Sequence, residues 1–277
     1  IEKIEDPLQE LLKELNSLIG LEEVKKDVNS LINLLQIRRI REERGMTQMP
    51  VSLHLVFSGN PGTGKTTVAR LLAKVYCELG VLSKGHLVEV DRSGLVGGFI
   101  GQTAIKVQEV IQKSLGGILF IDEAYSLTKN KNENDYGYEA VDTLLKAMED
   151  HRDDLVVIVA GYPDLMEEFL NSNPGLRSRF NKFIRFEDYN ANELTGIFES
   201  LCEKSGYRAS EECMRFTQNY FEQKSEAHNE NFANGREVRN YFELAMVNQA
   251  NRLSLDKDIS NDKLEELTLA DVENIVL

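Results

Sequence analysis

Residues 59–66 read Gly59-Asn60-Pro61-Gly62-Thr63-Gly64-Lys65-Thr66, a complete G-x-x-x-x-G-K-[ST] pattern. Before it, Leu53-His54-Leu55-Val56-Phe57 is a short, apolar, partly β-branched run of the kind that forms a buried strand. After it, Val68, Ala69, Leu71, Leu72 and Val75 recur at helical spacing. Strand, glycine loop and helix in this order aim backbone N–H groups and a helix N-terminus at one point, which attracts an anion. Gly62 and Gly64 let the backbone curl around a phosphate without Cβ clashes. Lys65 is expected to reach the β- and γ-phosphates of a nucleotide, and the Thr66 hydroxyl to ligate Mg2+. The alternative is a glycine turn in an unrelated α/β domain.

The chain of 277 residues holds one large domain or one and a half ordinary ones. Its 42% hydrophobic and 28% charged residues are ordinary for a globular protein. A formal net charge of −14 disfavours non-specific binding to DNA, RNA or anionic membrane, because the mean field repels a polyphosphate surface. A local basic pore is compatible with that balance, but no nucleic-acid partner is expected. Cys77, Cys202 and Cys213 are odd in number and lack metal-ligand spacing, which reads as reduced thiols in the cytoplasm. No stretch is long and apolar enough for membrane insertion. Neither a signal peptide nor an initiator Met opens the chain, as in a fragment of a longer polypeptide.

Hydrophobic periodicity predicts a short amphipathic helix over residues 2–16, with Leu8, Leu11, Leu12 and Leu15 on one face. Gly20 separates it from a second helix carrying Leu21, Val24, Val28, Leu31 and Leu35 and ending near Gly45. Strand-like runs follow at Leu53–Phe57, Leu87–Val90, Ile118–Ile121, Val156–Ala160 and Phe183–Phe186, separated by helices. That alternation predicts a doubly wound parallel five-stranded sheet with helices on both faces. After Asp188 only helical periods remain, at about 191–204, 210–224, 235–253 and after Thr268, a candidate N-cap. A boundary is therefore expected near residue 188, between an α/β core and a small all-helical domain. Lys129–Asp135, polar and Asn-rich, is expected to be a mobile loop.

Ile118-Leu119-Phe120-Ile121-Asp122-Glu123 is an apolar run that delivers two acids at its carboxyl end. With the glycine loop upstream, the pair fits the second half of an ATP site. Asp122 would hold the Mg2+ shell through water, and Glu123 would act as general base on the attacking water. The alternative is a pair of acids capping the next helix.

These residues carry a resemblance. The chain is similar to AAA+ ATPases, and closely to the family of the red-type Rubisco activase CbbX, the sporulation protein SpoVK and the ATPase domain of the secretion protein EccA. The matching segments are Gly59–Thr66, Leu95–Ala104, Leu115–Tyr125, Asn173–Phe180 and Phe232–Asn240, within about residues 17–253. The resemblance implies a P-loop AAA+ core over 17–188, a C-terminal helical lid over 189–277 and a leader helix over 1–16. It implies ATP/ADP and Mg2+ as cofactors, with Pro61, Gly62, Thr63, Gly64, Lys65, Thr66 and Thr67 on the nucleotide.

Further roles follow by position. Arg179, in the Ser-Arg-Phe turn, falls where the family places an arginine finger that enters a neighbour's site; Arg177 is a second candidate, and the alternative is that both are surface arginines. Arg236 matches the sensor-2 arginine that reads the γ-phosphate, and Arg239 shares that role or pairs with an acid. Ile19 and Gly20 match the segment near adenine; the alternative is a plain helix-to-helix turn. Many AAA+ proteins place Asn or Thr after the fourth strand as sensor 1, where this chain reads Gly161-Tyr162.

Phe99-Ile100-Gly101 is similar to the pore loop of AAA+ threading machines. Glycines at 94, 97, 98 and 101 loosen the segment, and an exposed aromatic grips a peptide by apolar contact; the alternative is an aromatic packed on its own core. The expectation is a cytoplasmic ring, most simply a hexamer, that hydrolyses ATP and pulls a protein client through its pore. The competing expectations are an ATP-switched scaffold module with slow hydrolysis and no threading and, more weakly, a nucleic-acid motor or clamp loader.

Overall fold

The computed structural model describes residues 6–47, 49, 51–99, 101–129, 136–226, 232–256 and 259–275. Ile100 and residues 130–135 of the expected mobile loop lie outside the described residues, as do residues 1–5 of the leader. The chain divides into two compact units, one of Ile1–Gly59 with Gly64–Phe186 and one of Asn60–Thr63 with Glu187–Leu277.

In the first unit, α1 (Pro7–Ser17) starts where Asp6 accepts a hydrogen bond from Leu8 N at 3.2 Å and Pro7 takes the first helical position. Leu15 is buried, and Leu8, Leu11 and Leu12 pack against the same core. Gly20 and Leu21 turn the chain with φ of 62° and 61°, and α2 (Glu22–Glu43) follows. Then come β1 (Leu55–Gly59), α3 (Lys65–Glu78), β2 (Leu87–Val90), α4 (Arg92–Leu95), α5 (Gln102–Ser114), β3 (Ile118–Ile121), a 3-10 turn (Ala124–Leu127), α6 (Gly137–Asp150), β4 (Val156–Gly161), α7 (Pro163–Asn171), α8 (Pro174–Arg179) and β5 (Lys182–Phe186).

The five strands form one sheet in the order β2-β3-β4-β1-β5, and every neighbouring pair is parallel. Pleating splits their side chains between two cores. Phe57, Phe120, Ile158 and Phe186 pack with Val28 of α2 and Leu72 of α3 on one face. Val56, Leu119, Val157 and Val159 pack with Val107 of α5, Val141 of α6 and Phe169 of α7 on the other. The sheet is thus covered on both faces, which is why its strands read as unbroken apolar runs. The Phe57 ring stands 4.9 Å from Phe186 and 6.4 Å from Phe120. Truncating such a buried ring to Ala costs about 3–5 kcal/mol. Because all strands run the same way, the segments after β1, β2, β3 and β4 leave from one edge of the sheet, where α/β proteins bind ligands.

The second unit holds α9 (Ala191–Lys204), β6 (Arg208–Ala209), α10 (Glu211–Glu226), α11 (Gly235–Leu253), α12 (Asn261–Glu265), β7 (Glu266–Leu267) and α13 (Leu269–Val272). Asn190 and Glu193 form a reciprocal capping box at the start of α9. The core is aromatic, with Phe198, Phe221 and Tyr241 fully buried and Phe198 5.6 Å from Tyr241. The unit is not purely helical: β6 and β7 pair in parallel over two residues each, too short to carry an alternating pattern. No described helix is long and apolar enough to cross a membrane.

Candidate functional site

β1 runs straight into the glycine loop. Gly62 and Gly64 take φ of 74° and 92°, in the left-handed region where a side chain is strained. Gly64 caps α3, so Lys65 and Thr66 form its first turn and the exposed Thr67 follows. Lys65 Nζ donates to Gly59 O at 2.8 Å, folding the ammonium over its own loop. Thr66 Oγ1 donates to Glu89 Oε1 of β2 at 3.3 Å, and Arg70 lies 4.0 Å from the same carboxylate.

Residues Asn60–Thr63 belong to the second unit, whose polar groups hold them. Asn60 Nδ2 donates to both oxygens of Asp188, at 3.0 and 2.9 Å. Gly62 O accepts from Gly235 N at 3.0 Å, and Thr63 O from the Tyr189 hydroxyl at 3.2 Å. Burial first, then the Glu193 carboxylate, pushes the Tyr189 phenol up to about 12, so it stays a donor at neutral pH.

β3 delivers Asp122 and Glu123 as expected. Asp122 N donates to Val90 O at 2.8 Å, and its Oδ1 accepts from Glu123 N at 3.0 Å. Glu123 is exposed and takes φ of 48°, a strained conformation for a residue with a side chain. A groove lined by Glu89, Val90, Asp91, Ser93, Gly94 and Asp122 opens beside the pair. The Asp91 carboxyl is held below the usual carboxylate range by the Ser93 hydroxyl and the Gly94 N–H.

Directly after β4 the structure places an aromatic pair. Tyr162 lies 6.1 Å, ring to ring, from Tyr125. Gly161 has no side chain because Tyr125 fills the space: a Cβ there would come within 2.7 Å of that ring. Burial, then the Glu123 carboxylate, raises the Tyr125 phenol to about 12. Tyr125 lies in the Leu115–Tyr125 segment, where no local spacing announces a partner 37 positions on at Tyr162.

Arg179 closes α8. Arg177 is engaged within its own chain, 2.9 Å from Glu167 and 3.0 Å from Asn171 Oδ1. Arg236 and Arg239 are exposed on the first turns of α11. Ile19 and Gly20 lie half-buried between α1 and α2. Phe99 is 72% exposed, so it does not pack on its own core. The base of its loop is fixed: Gly97 N donates to the buried Thr103 Oγ1 at 3.0 Å, and Lys106 Nζ donates to Ser93 O and Val96 O at 3.1 Å each. Gly101, beyond the tip, takes φ of 79°.

Comparison with known proteins agrees with this geometry. The profile of the ATPase family associated with various cellular activities (AAA) matches residues 55–188, and that of the AAA lid domain matches residues 190–276. Stage V sporulation protein K of Bacillus subtilis (strain 168) is 43% identical over 268 residues, covering 95% of this chain and 83% of that protein. Protein CbbX of Cereibacter sphaeroides is 46% identical over 247 residues, covering 88% and 79%. The chloroplastic ribulose bisphosphate carboxylase/oxygenase activase of Cyanidioschyzon merolae is 44% identical over 247 residues, covering 89% and 84%. Among solved structures, the FIGL-1 AAA domain in complex with ADP superposes with a TM-score of 0.63 at 18% identity, covering 93% of this chain and 81% of that one. A Thermotoga maritima RuvB variant gives 0.60 at 20% identity, covering 94% and 69%.

Proposed function

Because this chain belongs to the AAA ATPase family, in the group of stage V sporulation protein K and the CbbX proteins, we propose that it binds ATP with Mg2+, hydrolyses it to ADP and phosphate, and couples that cycle to remodelling a protein client. The observation that carries the reading is the complete phosphate loop, with Gly62 and Gly64 at φ of 74° and 92°, followed three helices and two strands later by Asp122-Glu123 at a strand end.

The residues present suit the two cofactors. The left-handed glycines make a cradle for phosphate. The Thr66 hydroxyl and the Asp122 carboxylate are hard oxygen donors of the kind Mg2+ takes. When bound, the metal neutralises charge on the phosphates. In this reading Lys65 exchanges the Gly59 carbonyl for a phosphate oxygen, and Glu123 takes the proton of the attacking water. Arg179 acts in a neighbouring subunit, which requires a ring. Arg236 is assigned to the γ-phosphate. Phe99 and Gly101, with Ile100, form the client loop. Residues 17–188 carry the nucleotide, 189–277 act as the lid and 1–16 as a leader.

A second reading, an ATP-switched scaffold with slow hydrolysis and no threading, is favoured by one observation, Tyr162 in place of the usual sensor-1 amide. Steady-state ATPase assays with and without candidate client proteins separate the two. Client-stimulated turnover supports remodelling, and turnover indifferent to every client with ATP-dependent assembly supports the switch. No nucleotide binding at all would sink both.

A further inference from the structure

Three successive carbonyls of the phosphate loop face donors from the chain beyond residue 186. Pro61 O accepts from Asn234 Nδ2 at 3.4 Å, Gly62 O from Gly235 N at 3.0 Å, and Thr63 O from the Tyr189 hydroxyl at 3.2 Å. In a trans peptide the carbonyl of one residue and the N–H of the next point in opposite directions. Holding the carbonyls of Pro61, Gly62 and Thr63 therefore fixes the N–H groups of Gly62, Thr63 and Gly64, all turned away from the donors. Successive N–H groups turned to one side form an anion nest.

The donors are themselves held. Asn234 is fully buried. Its Nδ2 also donates to Asp188 Oδ1 at 2.8 Å, and its Oδ1 accepts from Tyr189 N at 2.9 Å. Its backbone takes φ of 49° and ψ of −124°, a conformation costly for any residue but glycine. Asp188 joins the same knot by accepting from Asn60 Nδ2. The approach is close enough that a Cβ on Gly62 would run into the Ala233 carbonyl oxygen.

We propose that Tyr189 and Asn234 are positioning residues for the nucleotide phosphates: they grip the carbonyl side of the loop so that its amide side is set as an anion nest before any ligand arrives. The inference rests on the ATPase reading above. A loop rich in glycine is otherwise free to sample many conformations, and ordering it on binding would weaken the ligand. Strained backbone at Asn234 fits such a role, since it persists only where surrounding bonds impose it.

The test uses the full chain and the substitutions Tyr189→Phe, Tyr189→Leu and Asn234→Gly. Tyr189→Phe keeps the ring and removes one hydroxyl. Asn234→Gly removes the amide while allowing the positive φ. Fluorescent ADP is titrated at equilibrium, ATP turnover is measured over a range of substrate, and amide hydrogen exchange is followed without nucleotide. Tyr189→Phe should weaken ADP about three- to tenfold, the yield of one neutral hydrogen bond, with the loss falling on KM more than on kcat. Exchange should quicken at Gly235, whose N–H donates to Gly62 O, and stay unchanged in α9 and α10. Tyr189→Leu should lose as much as Tyr189→Phe, and Asn234→Gly more than either. Wild-type affinity and wild-type exchange at Gly235 in Tyr189→Phe would overturn the inference, as would faster exchange spread evenly through α9 and α10. A wild-type chain that binds no nucleotide overturns the ATPase reading and this inference together. Binding by wild type with indistinguishable variants overturns the inference alone.

Discussion

Arg179 and Glu149 of the same chain lie 3.5 Å apart, guanidinium to carboxylate. The grip is loose. A second amino group of Arg179 donates to Gly175 O at 3.5 Å, and its Nε is buried without a hydrogen-bond partner among the described residues. A guanidinium carries five donors and forms its strong pairs below about 3 Å. Arg179 is thus incompletely satisfied within its own chain.

If Arg179 serves a neighbouring site, Arg179→Ala should keep nucleotide affinity and lower hydrolysis about 10³-fold or more. Mixing it with Lys65→Ala should restore some activity, because a mixed ring holds intact sites at some interfaces. Glu149→Gln should lower the protein concentration that gives half-maximal turnover. Light scattering with ATP should report a mass near about six protomers. Full activity of Arg179→Ala would remove the finger assignment.

Lys65→Ala should abolish nucleotide binding. Glu123→Gln should bind ATP and hydrolyse it about 10²- to 10⁴-fold more slowly, since the amide fills the same space but takes no proton. Single-turnover assays with bound nucleotide resolve the two steps, and wild-type turnover by Glu123→Gln would exclude it as the base.

Phe99→Ala should leave basal ATPase within a few-fold and remove client-stimulated turnover. Several loops would hold one chain at once, so the lost contacts multiply. Phe99→Tyr keeps the ring face and should retain stimulation. Stimulation of Phe99→Ala equal to wild type would favour the scaffold reading.

His54 predicts an acid limb of stability. Its Nδ1 accepts from Val157 N at 3.0 Å, which requires the neutral ring. Burial, then the Arg179 guanidinium, lowers its pKa to about 4. The unfolded chain titrates near the ordinary value of about 6.5, so between these values it binds the proton that the folded chain refuses. This contribution is complete above pH 6.5 and is lost as pH falls toward 4, by about 3 kcal/mol in all. Urea unfolding across that window should show the decline in wild type. The same curve for His54→Asn, which keeps an acceptor without titrating, should lack this component; an identical slope would refute the assignment.

The sheet was legible because fully covered strands leave unbroken apolar runs, and the phosphate loop because its glycines answer a backbone need. Boundaries were less so. β1 was expected at Leu53–Phe57 and lies at Leu55–Gly59, because its ladder with β5 runs on until Gly59 meets Phe186. β6 and β7 left no signal at two residues each. The holders of the site were hidden for another reason. Tyr189 and Asn234 are single polar residues whose partners stand 126 and 45 positions away, at Thr63 and Tyr189, and no local spacing announces such a match.

The grouping of Asn60–Thr63 with Glu187–Leu277 makes the smaller unit discontinuous in sequence. Its backbone is joined to the larger unit at Gly59–Asn60, at Thr63–Gly64 and at Phe186–Glu187, so no single cut releases it whole. A fragment beginning at Glu187 would carry the Tyr189 hydroxyl, the Asn234 amide and the Gly235 N–H away from the carbonyls they serve. Recombination that swaps this helical segment between relatives as a cassette must therefore also match four residues inherited from the other side of the gene.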